Sequence, residues 1–343
     1  MIATAQGVPD MLQTPPPSVD ETEAACIARD FYGLSGDLLR LSSERDVNYC
    51  LSTGSGSRYL LKIANEKEPV EYTDLQVSVL RHLEKVAPDL PVPRNLPTLS
   101  GEFHAPRASG GRIRLLSFLE GSLLTAPPSD AAMRRSVADA GARLTRALSS
   151  LDADYGGPKL LWDLKNAACL AELTEAIESP RLRDRVERGI SDFKDRVLPR
   201  LDGMRWQLVH GDLNPQNLLT SADGQRVVGI LDFGDLVRTP LVCDVAVTAS
   251  YQIDFTDPLR TAAEFVSAWH AEFPLQDAEI AILPDLIATR LITIITVASW
   301  RAARYPANAE YILRNVTNAT KGLDTLCDLA PDELANALRK DLQ

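Results

Sequence analysis

The hydrophobic pattern along the chain changes period about a third of the way in. From Ser18, "SVDETEAACIARDFYGL" has acidic residues in its first turn, apolar periodicity and Gly33 as a stop, which predicts a helix. Two short β-like runs follow, Asn48–Thr53 and Arg58–Ile63, separated by "GSGS", the signal of a hairpin. "YTDLQVSVLRHLEKV" spaces Leu75, Val79, Leu80 and Leu83 for a second helix, and "RIRLLSFLEG", Arg112 to Gly121, reads as a buried strand. After Gly121 long helical patterns dominate, over residues 130–151, 164–178, 183–201 and 286–305. Strand-like pieces interrupt them only at 207–210, 217–220 and 227–233. The pattern predicts an α+β fold in two lobes, residues 19–119 and 120–343, with a ligand cleft between them. Residues 1–18, with three consecutive prolines and little pattern, predict a mobile tail.

Composition narrows the function classes. The 343 residues are 45% hydrophobic, enough for a real core, and carry a formal net charge of −11. No Lys/Arg cluster is present, which argues against nucleic acid or an anionic membrane as partner. Residues 1–119 carry −3 and the remainder −8, a balance that suits a cationic or zwitterionic substrate in the second part. Five cysteines, odd in number and never spaced as CxxC, disfavour a disulfide framework and a zinc site and predict inert thiols. With neither a leader-like N-terminus nor an uninterrupted apolar run of about 18 residues, a cytoplasmic location is expected.

The chemistry concentrates in "LVHGDLNPQNLL", Leu208 to Leu219, where an apolar run breaks for a polar island and resumes. Burying polar groups is costly unless they are paired, so such an island predicts a turn that presents side chains. Twelve residues after Asn217 comes "GILDFGD", in which a short strand delivers Asp232 to its end and Gly234 permits a sharp turn. Asp212, Asn217 and Asp232 suit phosphoryl transfer. A carboxylate and an amide oxygen give hard ligands for Mg2+, leaving room for nucleotide phosphates, and a further carboxylate accepts the proton of the attacking hydroxyl. This assigns Asp212 as base and Asn217 and Asp232 as metal ligands, with His210 stabilising the loop.

"VHGDLNPQNLL" and "GILDFGD" resemble the motifs of the aminoglycoside phosphotransferase and choline kinase family, relatives of the eukaryotic-type protein kinases. The resemblance implies a bilobal protein-kinase-like fold and the same three roles for Asp212, Asn217 and Asp232. It also implies that Lys62, in the "LKI" strand, is the phosphate-binding lysine, with Asp74 or Glu71 of the next helix as its partner. "SSERDVN", residues 42–48, takes the place of the phosphate-covering loop, with Ser42, Ser43 and backbone amides set to hold phosphate oxygens. "LLSFLEG" resembles the linker between lobes, with Ser117 and Leu119 as backbone contacts to the base, and Asp244 matches an aspartate that braces the catalytic loop.

"LLWDLKNA", "GILDFGDLVRTPLVCDVAVT" and "RLITIITVASWRAARYPANAEYILRN" are similar to the hydroxylysine kinase branch. The activity this implies is transfer of the γ-phosphate of ATP or GTP to a hydroxyl of a small amino acid or amino alcohol. The partners expected are the nucleotide and that acceptor, with a homodimer left open. An amino-acid acceptor needs carboxylates for its ammonium, for which Asp235 and Asp163 beside Trp162 are candidates, and an arginine for its carboxylate, Arg290 or Arg301. An aminoglycoside phosphotransferase and a catalytically inactive nucleotide-binding protein are the alternatives.

Overall fold

In the computed structural model, which describes residues 14–43, 45–124, 130–330, 332–340 and 342, the first third of the chain is built on one antiparallel sheet. The expected tail falls mostly on residues 1–13, outside those described; Pro15 is held by a hydrogen bond from Asn65 Nδ2 to its carbonyl at 3.2 Å. Helix α1 (Glu21–Tyr32) opens with the Asp20 carboxylate accepting the Glu23 N–H and closes at Gly33, φ +67°. Then come β1 (Gly36–Leu41), β2 (Val47–Thr53), β3 (Arg58–Ile63), α2 (Val70–Val86), β4 (Asn95–Leu96), β5 (Ala105–Pro106) and β6 (Arg112–Ser117). The strand order is β1-β2-β3-β6-β4, with β5 also on β6. The sequence pattern does not predict β1, because it is an edge strand with no buried face; Leu39 is 66% exposed.

Alternation along β3 sets up the site. Leu61 and Ile63 are fully buried against α1, so Lys62 between them faces the opposite side of the sheet. On that side α2 places Tyr72, Leu75, Val79, Leu80 and Leu83 in the larger core, which it shares with the second part of the chain. The proposed lobe division near residue 119 falls between β6 and β7 (Ser122–Leu123), while α2 packs across it.

The second part is mainly helical. Helix α3 (Ala131–Leu148) precedes a segment of 3-10 turns, Leu164–Ala176, then α4 (Pro180–Asp192), a π turn over Phe193–Val197 and α5 (Leu198–Leu201). The pattern over 164–178 predicts an ordinary helix, yet the buried Leu164, Ala167, Leu170 and Leu173 recur every three residues, the repeat of a 3-10 helix. Over 183–201 the single expected helix is broken ahead of Pro199, whose ring nitrogen cannot donate to the preceding turn.

Strands β8 (Trp206–Val209), β9 (Leu218–Thr220), β10 (Val227–Ile230) and β11 (Val237–Pro240) carry the polar island; β7, β9 and β10 form one small sheet, β8 and β11 another. The chain ends in α6 (Leu241–Ser250), α7 (Pro258–Glu272), α8 (Asp277–Arg304), α9 (Ala309–Leu313), α10 (Val316–Asp328) and α11 (Glu333–Lys340). Helix α8 is long and apolar enough to cross a membrane, but 72% of its most apolar window is buried within the protein, as befits a central core helix. The cysteines are free thiols: Cys50 and Cys243 are buried, and Cys327 is exposed.

Candidate active site

The polar island is a loop braced from behind. Between β8 and β9 the backbone turns at Gly211, φ +83°, where a Cβ would lie 2.5 Å from the Asp235 carbonyl oxygen; only glycine fits. The buried Asp244 of α6 accepts the Gly211 N–H at 2.8 Å. His210 is fully buried; its Nε2 lies 2.9 Å from the Leu231 carbonyl, which can only accept, so Nε2 carries the proton and Nδ1 accepts the Asp212 N–H at 3.3 Å. Both ring nitrogens serve the loop.

That bracing aims Asp212 into the cleft. Its Oδ1 accepts from Arg290 Nη2 at 2.8 Å, and its Oδ2 accepts from Asn214 Nδ2 at 2.7 Å and Asn217 Nδ2 at 3.1 Å. Burial pushes the carboxyl up, Arg290 pulls it down, Asp235 and Asp232 push it up again, and it stands at about 6. A carboxylate poised there is mostly deprotonated at neutral pH yet still basic enough to receive a proton.

Asn217 and Asp232 are held together by the Leu231 N–H, which donates to the Asn217 carbonyl at 2.8 Å. Asp232 has φ +54°, a left-handed conformation rare for a residue with a side chain and the kind of strain that recurs at functional sites. Burial raises its carboxyl, but Lys62 and Arg45 outweigh that and hold it at about 2. These two residues fit a magnesium ion. Asn217 turns its NH2 to Asp212, so its amide oxygen faces the other way, and Asp232 is a permanent carboxylate whose side chain is 48% exposed to the cleft. Among the described residues no group of three His, Cys, Asp or Glu is placed to hold a metal ion.

Lys62 Nζ is 3.6 Å from Asp232 Oδ1 and 2.7 Å from Asp46 Oδ2. Burial disfavours its charge; Asp46 and Asp232 restore it and keep the ammonium above its ordinary value. The expected helical partner is therefore corrected. Asp74 lies on the outer side of α2 and pairs with His104 at 2.8 Å, and Glu71 is exposed, because α2 turns its apolar face to the core and leaves both acids outside. Asp46, in the loop after β1, supplies the carboxylate. In the same loop Arg45 bridges to Asp235 Oδ1 at 2.8 Å and to the Gly234 carbonyl at 3.1 Å, while the Tyr72 hydroxyl donates to that carbonyl at 2.6 Å.

A cavity of about 430 Å³ lies beside these groups; Lys62 is not part of its lining and sits behind Asp46 and Asp232, which are. Ser42, Ser43, Asp46, Asp212, Asn217, Asp232, Asp235, Arg290 and Arg301 all line it. Ser117 and Leu119 do not, and the Ser117 N–H is committed to the Arg94 carbonyl at 2.9 Å, which leaves it no backbone donor for a base edge. Asp163 is also outside the cavity. It caps the 3-10 segment, accepting from the Lys165 side chain, from the Lys165 N–H at 3.3 Å and from Thr239 Oγ1 at 2.9 Å, with only 1% of its side chain exposed. A neighbouring lysine already fills the role expected of a substrate ammonium. Arg290 reaches the cavity, but its nearest carboxylate is Asp212, and it also donates to the Tyr251 hydroxyl at 3.1 Å.

The sequence reading missed Arg45, Asp46, Asn214, Tyr251 and Arg314 at this cavity. The first two sit inside the "SSERDVN" loop already singled out, where an Arg-Asp pair beside two serines is a legible signal. Nothing local marks Tyr251 or Arg314.

A two-lobed α+β fold whose cleft gathers a buried strand lysine, a braced aspartate and an Asn-Asp pair defines a protein-kinase-like phosphotransferase. Residues 37–279 match the phosphotransferase enzyme family (APH), and the chain belongs to that family. It is 26% identical to hydroxylysine kinase of Danio rerio over 336 residues, covering 93% of this chain and 94% of that one. With the hydroxylysine kinase of Mus musculus it shares 27% over 344 residues, 91% and 90% of the two chains. Among solved structures, a microcompartment-associated aminopropanol kinase superposes with a TM-score of 0.69 at 18% identity, covering 93% of this chain and 99% of its own. Amicoumacin kinase in complex with AMP-PNP, Ca2+ and Ami gives 0.65 at 16%, covering 88% and 94%.

Proposed function

We propose that the protein is a magnesium-dependent small-molecule kinase that transfers the γ-phosphate of ATP or GTP to a hydroxyl of a small amino acid or amino alcohol. The observation that carries the reading is the geometry of Asp212, a carboxylate near pKa 6 held by Arg290, Asn214 and Asn217 at the floor of the cavity that Asp232 also lines. Asp212 receives the proton of the acceptor hydroxyl as its oxygen bonds to the γ-phosphorus and the nucleoside diphosphate leaves. Lys62 holds phosphate oxygens, and Ser42 and Ser43 cover them. A magnesium ion held by Asn217 and Asp232 would neutralise charge on the phosphates. The hydroxylysine kinases that this chain resembles over most of its length support a small hydroxylated amino acid as the acceptor class.

The test is release of nucleoside diphosphate with Mg2+ and ATP or GTP, against 5-hydroxylysine, homoserine, threonine, ethanolamine, choline and kanamycin. Stimulation by one of the small hydroxylated amines or amino acids is expected. Stimulation by kanamycin alone would move the protein to antibiotic phosphorylation, and tight nucleotide binding without any stimulation would mark it as an inactive nucleotide binder.

A further inference from the structure

Two side chains from the first part of the chain end on one atom of the second. The carbonyl of Gly234, two residues past Asp232, accepts the Tyr72 hydroxyl at 2.6 Å and Arg45 Nη2 at 3.1 Å. These donors occupy both lone pairs of that oxygen.

The turn they grip is the one that aims Asp232. Asp232 has φ +54°, and its Oδ1 accepts the Gly234 N–H at 3.1 Å. A left-handed residue that carries a side chain persists only where its surroundings over-determine it. Here Gly234 is held at its N–H by Asp232 itself and at its carbonyl by Tyr72 and Arg45. A Cβ at position 234 would lie 2.8 Å from Asp232 Oδ1 and 3.0 Å from Arg45 Nη2, so only glycine lets these groups close together.

The two donors are themselves fixed. Tyr72 is fully buried in the first turn of α2, its ring edge-on to that of Tyr155 with centroids 6.4 Å apart. Burial, with Asp235 nearby, pushes its hydroxyl well above the ordinary value, so it stays a donor. Arg45 Nη2 also donates to Asp235 Oδ1 at 2.8 Å, and the Arg45 carbonyl accepts from Asn65 Nδ2 at 3.2 Å. The N–H of the buried Asn65, just past β3, donates to Asp46 at 3.1 Å, which ties the loop of Arg45 to the strand of Lys62. Helix α2 thus leaves Lys62 to Asp46 and presents its first turn to Gly234.

We infer that Tyr72 and Arg45 are positioning residues: by holding the Gly234 carbonyl they fix the turn that points Asp232 at the magnesium ion of the nucleotide complex. This rests on the magnesium-dependent reading above. Neither side chain is a metal ligand; both act through the backbone at position 234.

The experiment measures, by calorimetry, the Kd of ATP and of GTP in Mg2+ and in EDTA. Tyr72→Phe removes one oxygen and keeps the ring, and Arg45→Lys keeps the charge beside Asp232 but loses the planar NH2 that spans Asp235 and the carbonyl. In each variant the advantage that Mg2+ gives to nucleotide binding falls by about 10-fold, the scale of groups that orient a metal ligand. A ratio of two Kd values is insensitive to the fraction of folded protein. The Mg2+ concentration for half-maximal turnover rises, while the acceptor KM stays within about twofold. A Mg2+ advantage that neither substitution moves overturns the positioning role and leaves the kinase reading standing. Equal weakening in Mg2+ and in EDTA also overturns it, since that would put the two side chains on the nucleotide itself. If the unmodified protein binds nucleotide no better with Mg2+ than without, the metal reading falls and the inference with it.

Discussion

The two ends of the cleft are built by different means. At the catalytic end every carboxylate is matched: Asp46 to Lys62 at 2.7 Å, Asp235 to Arg45 and Asp212 to Arg290 at 2.8 Å each. Its residues come from short contiguous stretches, 42–48, 210–217 and 232–235, each fixed by backbone hydrogen bonds. At the far end Arg301 lies near the Trp162 ring and Arg314 on the Tyr311 ring. That end is the side of one long helix, joined by Trp162 and by the segment that carries Tyr311 and Arg314. Chemistry common to many acceptors asks for fixed geometry, which short braced loops provide, whereas recognition of one acceptor asks only for suitable side chains on a stable wall. The contrast predicts that substitutions at the first end act on turnover and those at the second on choice of substrate.

The sharpest way to break this contrast is Asp212→Asn, which keeps the shape and removes the base. Turnover falls by about 1,000-fold, within the range general bases contribute, while binding of the Mg-nucleotide, measured by calorimetry, persists. Undiminished turnover would show that the catalytic end is not where proton transfer occurs. Asp46→Asn comes next. It leaves Lys62 without its nearest carboxylate, and kcat/KM for the nucleotide drops by about 30-fold, the scale of a misplaced catalytic group. Asp74→Asn, which touches only an outer pair with His104, changes it by less than about twofold, as exposed pairs contribute little. The opposite ranking would return the lysine's partner to α2.

Legibility divides along the same line. "HGDLNPQN" and "LDFGD" betray the catalytic end because residue type, spacing and strand context coincide within a few positions, and the sheet of the first lobe announces itself through "GSGS" between two β-like runs. Long-range pairings leave no such trace. Whether Asp74 or Asp46 meets Lys62 depends on which face α2 turns to the core, and the acids of α2 all lie on the outer face. Arg290 and Arg301 are visible as arginines in an apolar helix, but that one touches Asp212 and the other the far end of the cavity follows only from the rotation of α8. The 3-10 segment was in the pattern, as leucine and alanine at every third residue, and is easily absorbed into a helical reading.

A finer test concerns pH. With Asp212 at about 6, kcat/KM, which reports the free enzyme, declines below pH 6 as the base takes up a proton. Burial and the neighbouring aspartates raise that pKa and Arg290 lowers it, so removing the cation moves the value upward. Arg290→Gln therefore shifts the acid limb to higher pH by roughly one unit. A limb that stays in place would show that Arg290 serves the acceptor alone, and would extend the recognition wall down to the base.

The smallest effect on catalysis is expected at Asp163, and it is informative for that reason. Its carboxylate caps the 3-10 segment and holds the Lys165 side chain and the Thr239 hydroxyl, outside the cavity yet one residue from Trp162, which lines it. Asp163→Asn keeps a cap acceptor but leaves Lys165 without its buried counter-charge, which lowers stability by about 2 kcal/mol, read as a shift in the urea midpoint at unchanged m-value. The kcat/KM of the folded enzyme stays within about twofold for every acceptor, since no charge in the cleft changes. A selective loss toward acceptors with a free ammonium, at unaltered stability, would instead place Asp163 on the recognition side.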